Sequence, residues 1–178
     1  TNPGGVSGFD NKVWKWEELP DGIRFSLYSP DGEGGFPGNI RVITDYRFNE
    51  DNELSVRHYA ETDCATYINM TNHAYFNLCG KGKKITEHRL HIPADRILDT
   101  TPAFIPTGKR MNVKNTPFDF TSLKPIGTDL YADHEQLLWN KGYNHCYILK
   151  DEISVEMLEA ASLYEPVTGR NMRVMTYL

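Results

Sequence analysis

The chain has 178 residues, 39% hydrophobic and 24% charged, with a formal net charge of −5, enough for one domain or two small ones with a core to bury. The acidic balance argues against a nucleic-acid or anionic-membrane binder, since both need a basic surface, and no apolar run approaches the roughly 20 residues of a membrane helix. Fourteen Gly and ten Pro beside ten Tyr and eight Phe favour short strands over long helices.

The predicted elements begin with an alternating run at Val13–Trp16 and a second at Ile23–Tyr28, joined by a Pro20-Asp21-Gly22 turn. Ser29 to Gly38 carries four glycines and two prolines and reads as a loop. Ile40–Phe48 resumes the strand pattern, Asn49–Glu53 is a polar, solvated turn, and Leu54–Ala60 returns, completing an antiparallel meander. The clearest strand in the pattern is Tyr67–Leu78. One face would carry Ile68, Met70, Asn72, Ala74, Phe76 and Leu78; the other Tyr67, Asn69, Thr71, His73, Tyr75 and Asn77. The second face, polar and aromatic with no Lys or Glu, suits a wet concave surface for a ligand with many hydroxyls.

Residues 85–98 read as a strand pair punctuated by Pro93, and Pro102, Pro106-Thr107-Gly108 and Pro117 interrupt the next stretch of chain. Asp129–Trp139 is the predicted helix, capped by Thr128 or Asp129 with Leu130, His134, Leu137 and Leu138 on one side. Tyr143–Leu149 reads as a strand. Glu152–Tyr164 is open between helix and strand, because Val155, Leu158 and Ala161 also fit a helical period.

Cys64, Cys79 and Cys146 are odd in number without paired spacing, which reads as reduced cysteines in a cytosolic protein. No signal peptide is recognised at the N-terminus, so the sequon at Asn69-Met70-Thr71 is taken as chance. His88 and His91 would point to opposite faces of a strand, so a metal pair is not expected. Asp31 and Glu33 in the Gly-rich loop would repel a phosphate.

Thr71-Asn72-His73-Ala74-Tyr75-Phe76-Asn77-Leu78 resembles the central signature of the aldose 1-epimerases, or galactose mutarotases. Further stretches fall in that family's order. These are Gly4-Gly5 with Gly8-Phe9-Asp10 and Trp14, then Asp31-Gly32-Glu33 through Phe36-Pro37-Gly38, then Ile105-Pro106-Thr107-Gly108 with Thr116-Pro117-Phe118-Asp119-Phe120. Gly142-Tyr143-Asn144-His145 comes next, and then Tyr164-Glu165-Pro166 with Thr168-Gly169-Arg170.

The resemblance implies an all-β fold, a large antiparallel β-sandwich of the galactose mutarotase-like supersandwich type, with Glu152–Tyr164 as strand. It covers residues 1–178 as a single partial domain, N- and C-terminally incomplete, like the middle half of the family's chain. It also implies a cytoplasmic protein with no cofactor and a free hexose, galactose or glucose, as partner. Incomplete sheets would favour self-association.

The reaction the resemblance implies is anomer interconversion. A general acid protonates the ring oxygen while a general base takes the anomeric hydroxyl proton; the ring opens, the aldehyde turns about C1–C2, and the ring closes on the other face. The acid position corresponds to His73, and Tyr75 and Phe76 match positions that line the sugar. The family's sugar-binding Asp corresponds to Asn144, which keeps an acceptor oxygen but not the charge. His145 is read as structural. The His that usually precedes the first Gly-Gly corresponds to Pro3, the family's upstream Asn-Arg pair has no counterpart, and no residue here matches the family's Glu base. Three functions stay open on these residues: an active or weakly active epimerase, a non-catalytic carbohydrate-binding relative, and a fragment without independent function. Asp63, Asp119 and Glu165 are the carboxylates to consider as a substitute base.

Overall fold

The structure is a computed structural model describing residues 8–80, 82–149 and 155–177. Among the described residues its regular structure is almost all antiparallel sheet, in two units: residues 1–74 and residues 75–178.

The first unit is the predicted meander, except that its first strand is shifted: Val13 and Trp14 lie before it, and it runs on past Trp16 to Leu19. Strands β1 (Lys15–Leu19), β2 (Gly22–Ser29), β3 (Ile40–Phe48) and β4 (Leu54–Thr62) pair in sequence order. Leu19 opposite Gly22 leaves Pro20-Asp21 as a two-residue hairpin loop. Gly22 is required where two backbones nearly touch, because a Cβ there would lie 2.0 Å from the Tyr46 carbonyl oxygen. One face of the sheet carries Phe25, Val42, Thr44 and Tyr46, with Val42 and Thr44 buried. The other pairs charges: the Arg24 guanidinium holds both oxygens of the buried Asp45 carboxylate, at 2.6 and 2.8 Å. That guanidinium keeps the Asp45 carboxyl below its ordinary range. The Gly-rich loop closes on itself, Asp31 accepting from the Gly38 amide at 2.6 Å and Glu33 pairing with Lys12 and Ser29.

The second unit has two sheets. One orders β11 (Asn171–Thr176), β10 (Leu158–Tyr164), β5 (Arg89–His91) and β8 (Lys124–Pro125); the other orders β7 (Pro106–Asn112), β6 (Arg96–Thr100) and β9 (Tyr147–Ile148). Its core gathers Ile97, Val113, Phe118 and Leu137, with Met111, Ala132, Tyr143 and Tyr147 packed around them. Phe118 is the centre: His134, His145 and Tyr143 lie against its ring at centroid distances of 4.9, 4.2 and 6.0 Å.

Five expectations are corrected. The predicted strand pair within 85–98 yields two strands in different sheets, since β5 pairs with β10 and β8 while β6 pairs with β7 and β9. Pro106 opens a strand rather than breaking one; β7 lies at a sheet edge, where a first-residue Pro loses no ladder bond. Helix α1 spans only Glu135–Asn140, capped by His134, whose Nδ1 accepts from the Gln136 amide. The expected cap Asp129 instead pairs with Lys124 at 2.7 Å. Tyr143–Leu149 is strand only at Tyr147–Ile148.

The fifth correction concerns Tyr67–Leu78, which is not a strand. Its residues are almost all exposed, on both alternating faces. Two Asn side chains turn the backbone instead: Asn72 Oδ1 accepts from the Ala74 amide at 2.7 Å and Asn77 Oδ1 from the Cys79 amide at 3.1 Å. Such local bonds compete with a ladder, and alternation alone supplies no partner strand. Within Glu152–Tyr164, the strand reading holds for Leu158–Tyr164 and fails at 155–157, while 152–154 lie outside the described residues.

Candidate functional site

The division between the units falls inside the signature, after Ala74. His73 is an exposed residue at the end of the first unit, in the segment shaped by the Asn72 turn. Tyr75 opens the second unit and is 90% exposed; Phe76 is about half exposed. Both rings thus present surface to solvent.

At Leu78 the signature becomes tightly held. Its amide donates to Nε2 of the buried His88 at 3.0 Å, and its carbonyl accepts from Arg170 Nη1 at 2.9 Å. Asn77 Nδ2 adds a bond to the Lys83 carbonyl at 2.9 Å. Sequence reasoning singled out neither His88 nor Arg170 for this role, because they lie 10 and 92 residues from Leu78. The signals that could have suggested it were the Thr168-Gly169-Arg170 match and a His just before a strand.

Asn144, also in the second unit, is exposed just before β9. Its backbone amide donates to His145 Nδ1 at 3.1 Å. This fixes His145 as the tautomer with its proton on Nε2, an atom that is buried without a hydrogen-bond partner. Burial, with a smaller contribution from nearby His134, pushes the His145 imidazole down to about 4. Its packing on Phe118 agrees with the structural role expected from the sequence.

The three carboxylates considered as substitute bases are all engaged. Asp63 accepts from the Asn39 side chain and amide at 2.7 and 2.8 Å, and these bonds lower its pKa. Asp119 is lowered by the Thr121 hydroxyl and amide. Glu165, buried, takes the Thr168 hydroxyl and amide and the Val167 amide, led by the Thr168 hydroxyl, and falls to about 2. A carboxylate stabilised that far in its charged form is a weak proton acceptor.

Two hollows of about 260 and 520 Å³ lie on the charged face of the first sheet, both lined by Lys15, Ser26 and Arg41, and neither contains a signature residue. Among the described residues, no three or more His, Cys, Asp or Glu side chains are grouped to hold a metal, and no helix is long and apolar enough to cross a membrane. His91 faces Glu159 at 3.9 Å, whereas His88 lies on the Leu78 amide.

The sequence model of the aldose 1-epimerase family matches residues 2–177. The aldose 1-epimerase of Escherichia coli K12 is 39% identical over 148 residues, 83% of this chain and 42% of that protein. The galactose mutarotase of Pongo abelii is 38% identical over 174 residues, 97% of this chain and 48% of that protein. Among solved structures, a galactose 1-epimerase from Lactobacillus acidophilus is similar with a TM-score of 0.77 at 31% identity, over 91% of this chain and 47% of that one. An aldose epimerase homologue from C. elegans has a TM-score of 0.81 at 27% identity, over 96% of this chain and 50% of that one. The chain belongs to the aldose 1-epimerase family, and its antiparallel sheets are those of that family's β-sandwich fold. It spans about half the length of the curated relatives it matches.

Proposed function

We propose that this protein serves the interconversion of α and β anomers of a free hexose, galactose or glucose, with the sugar bound at the signature. His73 gives a proton to the ring oxygen, a general-acid role that imidazole fills most often. Tyr75 and Phe76 offer ring surface to the sugar, and the Asn144 amide hydrogen-bonds a hydroxyl. As the bond between C1 and the ring oxygen breaks, the anomeric hydroxyl gives up its proton to a base, solvent water where no carboxylate of the chain takes it, and C1 becomes an aldehyde. Rotation about C1–C2 and reclosure with the protons returned complete the cycle. The observation that carries the reading is the family match over residues 2–177 with the signature His in place.

None of the 178 residues matches the family's base, and Asp63, Asp119 and Glu165 are all lowered in pKa by hydrogen bonds. A missing general base costs on the order of 10²–10⁴ in rate. The 178-residue chain by itself therefore binds hexose and speeds its mutarotation weakly or not at all, which favours carbohydrate binding as the second reading for these residues alone. The cytoplasm is the proposed compartment, and the three unpaired cysteines agree with it.

Polarimetry on freshly dissolved α-D-galactose and α-D-glucose, with a parallel NMR titration, tests this. Expected are hexose-dependent shifts at Tyr75 and Phe76 that His73→Ala or Tyr75→Ala weakens, with relaxation close to the buffer rate. No binding of either sugar would refute the site. Fast relaxation unaffected by His73→Ala would refute the role of His73.

A further inference from the structure

Two residues in the second unit are almost completely buried although both can carry charge: His88, 1% exposed, and Glu165, 2% exposed. The proposed reaction uses neither. Strand register explains why they meet. Arg89 is opposite Tyr164 in the antiparallel β5–β10 pair, so the residue before β5 and the residue after β10 come together at the same sheet end.

Each side of that sheet end holds one backbone group of Leu78. On the β5 side, His88 is anchored by its own backbone: its amide donates to the Ile85 carbonyl at 3.0 Å and its carbonyl accepts from the Ile126 amide at 2.9 Å. Its Nε2, the unprotonated ring nitrogen, receives the Leu78 amide. On the β10–β11 side, Glu165 shapes the turn. Its carboxylate takes the Val167 and Thr168 amides and the Thr168 hydroxyl, and its own amide and carbonyl bond the Arg170 carbonyl at 2.9 Å and the Gly169 amide at 3.0 Å. Gly169, at φ +73°, lets the chain reverse there. Arg170 thus leaves the turn from a fixed base, and its Nη1 donates to the Leu78 carbonyl.

We propose that His88 and Arg170 are positioning residues that grip the amide and the carbonyl of Leu78, and that the Glu165 turn sets Arg170, so that Tyr75 and Phe76 are presented in one geometry to a bound sugar. The sugar-facing part of this inference rests on the function proposed above. Residues 71–77 are exposed and have no ladder of their own, and the hold at Leu78 and the Asn77 side-chain bonds order the signature's end from its C-terminal side. Holding a binding segment in place before the ligand arrives removes an ordering cost from association.

The test compares the 178-residue chain with Arg170→Met, His88→Leu and His88→Gln, the last retaining an acceptor for the Leu78 amide. Arg170 is exposed, so Arg170→Met keeps the test open should a His88 variant fail to fold. The measurements are Leu78 amide hydrogen exchange, exchange at Tyr75 and Phe76, the melting temperature, and D-galactose affinity by NMR. Expected are Leu78 exchange faster by about tenfold in His88→Leu and galactose affinity weaker by about tenfold in His88→Leu and Arg170→Met, the worth of one hydrogen bond. His88→Gln should recover both, and Arg170→Met should melt close to the parent. Unchanged affinity in both disruptive variants would overturn the positioning role, as would losses that track melting temperature alone without rescue by Gln. A parent chain that binds no galactose would refute the proposed function. Exchange at Tyr75 and Phe76 then decides the inference: acceleration in Arg170→Met supports the grip, and no change refutes it.

Discussion

Acid should weaken this protein through His145 before it reaches most of the carboxylates. The ring packs on Phe118 at 4.2 Å, its Nδ1 accepts the Asn144 amide, and its Nε2 is buried. Burial holds the folded imidazole near a pKa of about 4, against an ordinary 6.5. Between those values the unfolded chain binds a proton that the folded chain refuses, so stability rises with pH across the window. The contribution is complete above pH 6.5, is lost as pH falls from 6.5 to 4, and changes no further below. A shift of that size is worth at most about 3 kcal/mol, and about 2 kcal/mol once solvent screening at the partly exposed ring is allowed for. Protonating Nδ1 would also remove the acceptor of the Asn144 amide, tying acid sensitivity to a proposed sugar contact. The assay is urea unfolding at intervals from pH 4 to 7.5 on the parent and on His145→Leu. The parent should lose stability through the window and the variant should lose markedly less. Parallel pH profiles would refute the reasoning, because the loss would then belong to other groups. Glu165, lowered from 4.5 to about 2, has the same sign but a lower window, its contribution present above pH 4.5 and lost as pH falls toward 2.

Gly22→Ala should cost about 1–3 kcal/mol in urea unfolding, the usual range for overpacking, because its Cβ would lie 2.0 Å from the Tyr46 oxygen and 2.9 Å from Arg47 Cα; parent-like stability would mean the two strands part freely there. Trp16, 67% exposed, shares a face of the first sheet with the exposed Phe48 and Leu54, and apolar surface of that kind favours association. Sedimentation velocity should show concentration-dependent self-association that Trp16→Glu reduces, and a strictly monomeric parent would contradict this.

The meander was legible because its signals are local. Ile40–Phe48 is a strand with the bounds that alternation assigns, and the hairpin loop falls at Pro20-Asp21. Each depends on neighbours a few residues away: side-chain parity along one strand, and turn residues between two. The resemblance of Thr71–Leu78 to the family's signature was legible in the same way, as a contiguous motif.

Pairing between distant segments was not legible. Alternation in Tyr67–Leu78 specifies two faces but no partner, and two Asn side chains turned the backbone where a ladder was expected. The helix began late because Asp129 found Lys124 and left His134 to cap it. β5 and β6 separated into different sheets because their partners are β10 and β7. The grip on Leu78 depends most on tertiary structure. Arg170 is 92 residues away, and only the β5–β10 register brings its turn beside His88. By itself the sequence determined which residues could do chemistry and which faces strands would bury, since both are properties of side chains in order. The tertiary structure decided which backbone groups found partners, since a hydrogen bond across the fold exists only once two remote segments share a sheet end.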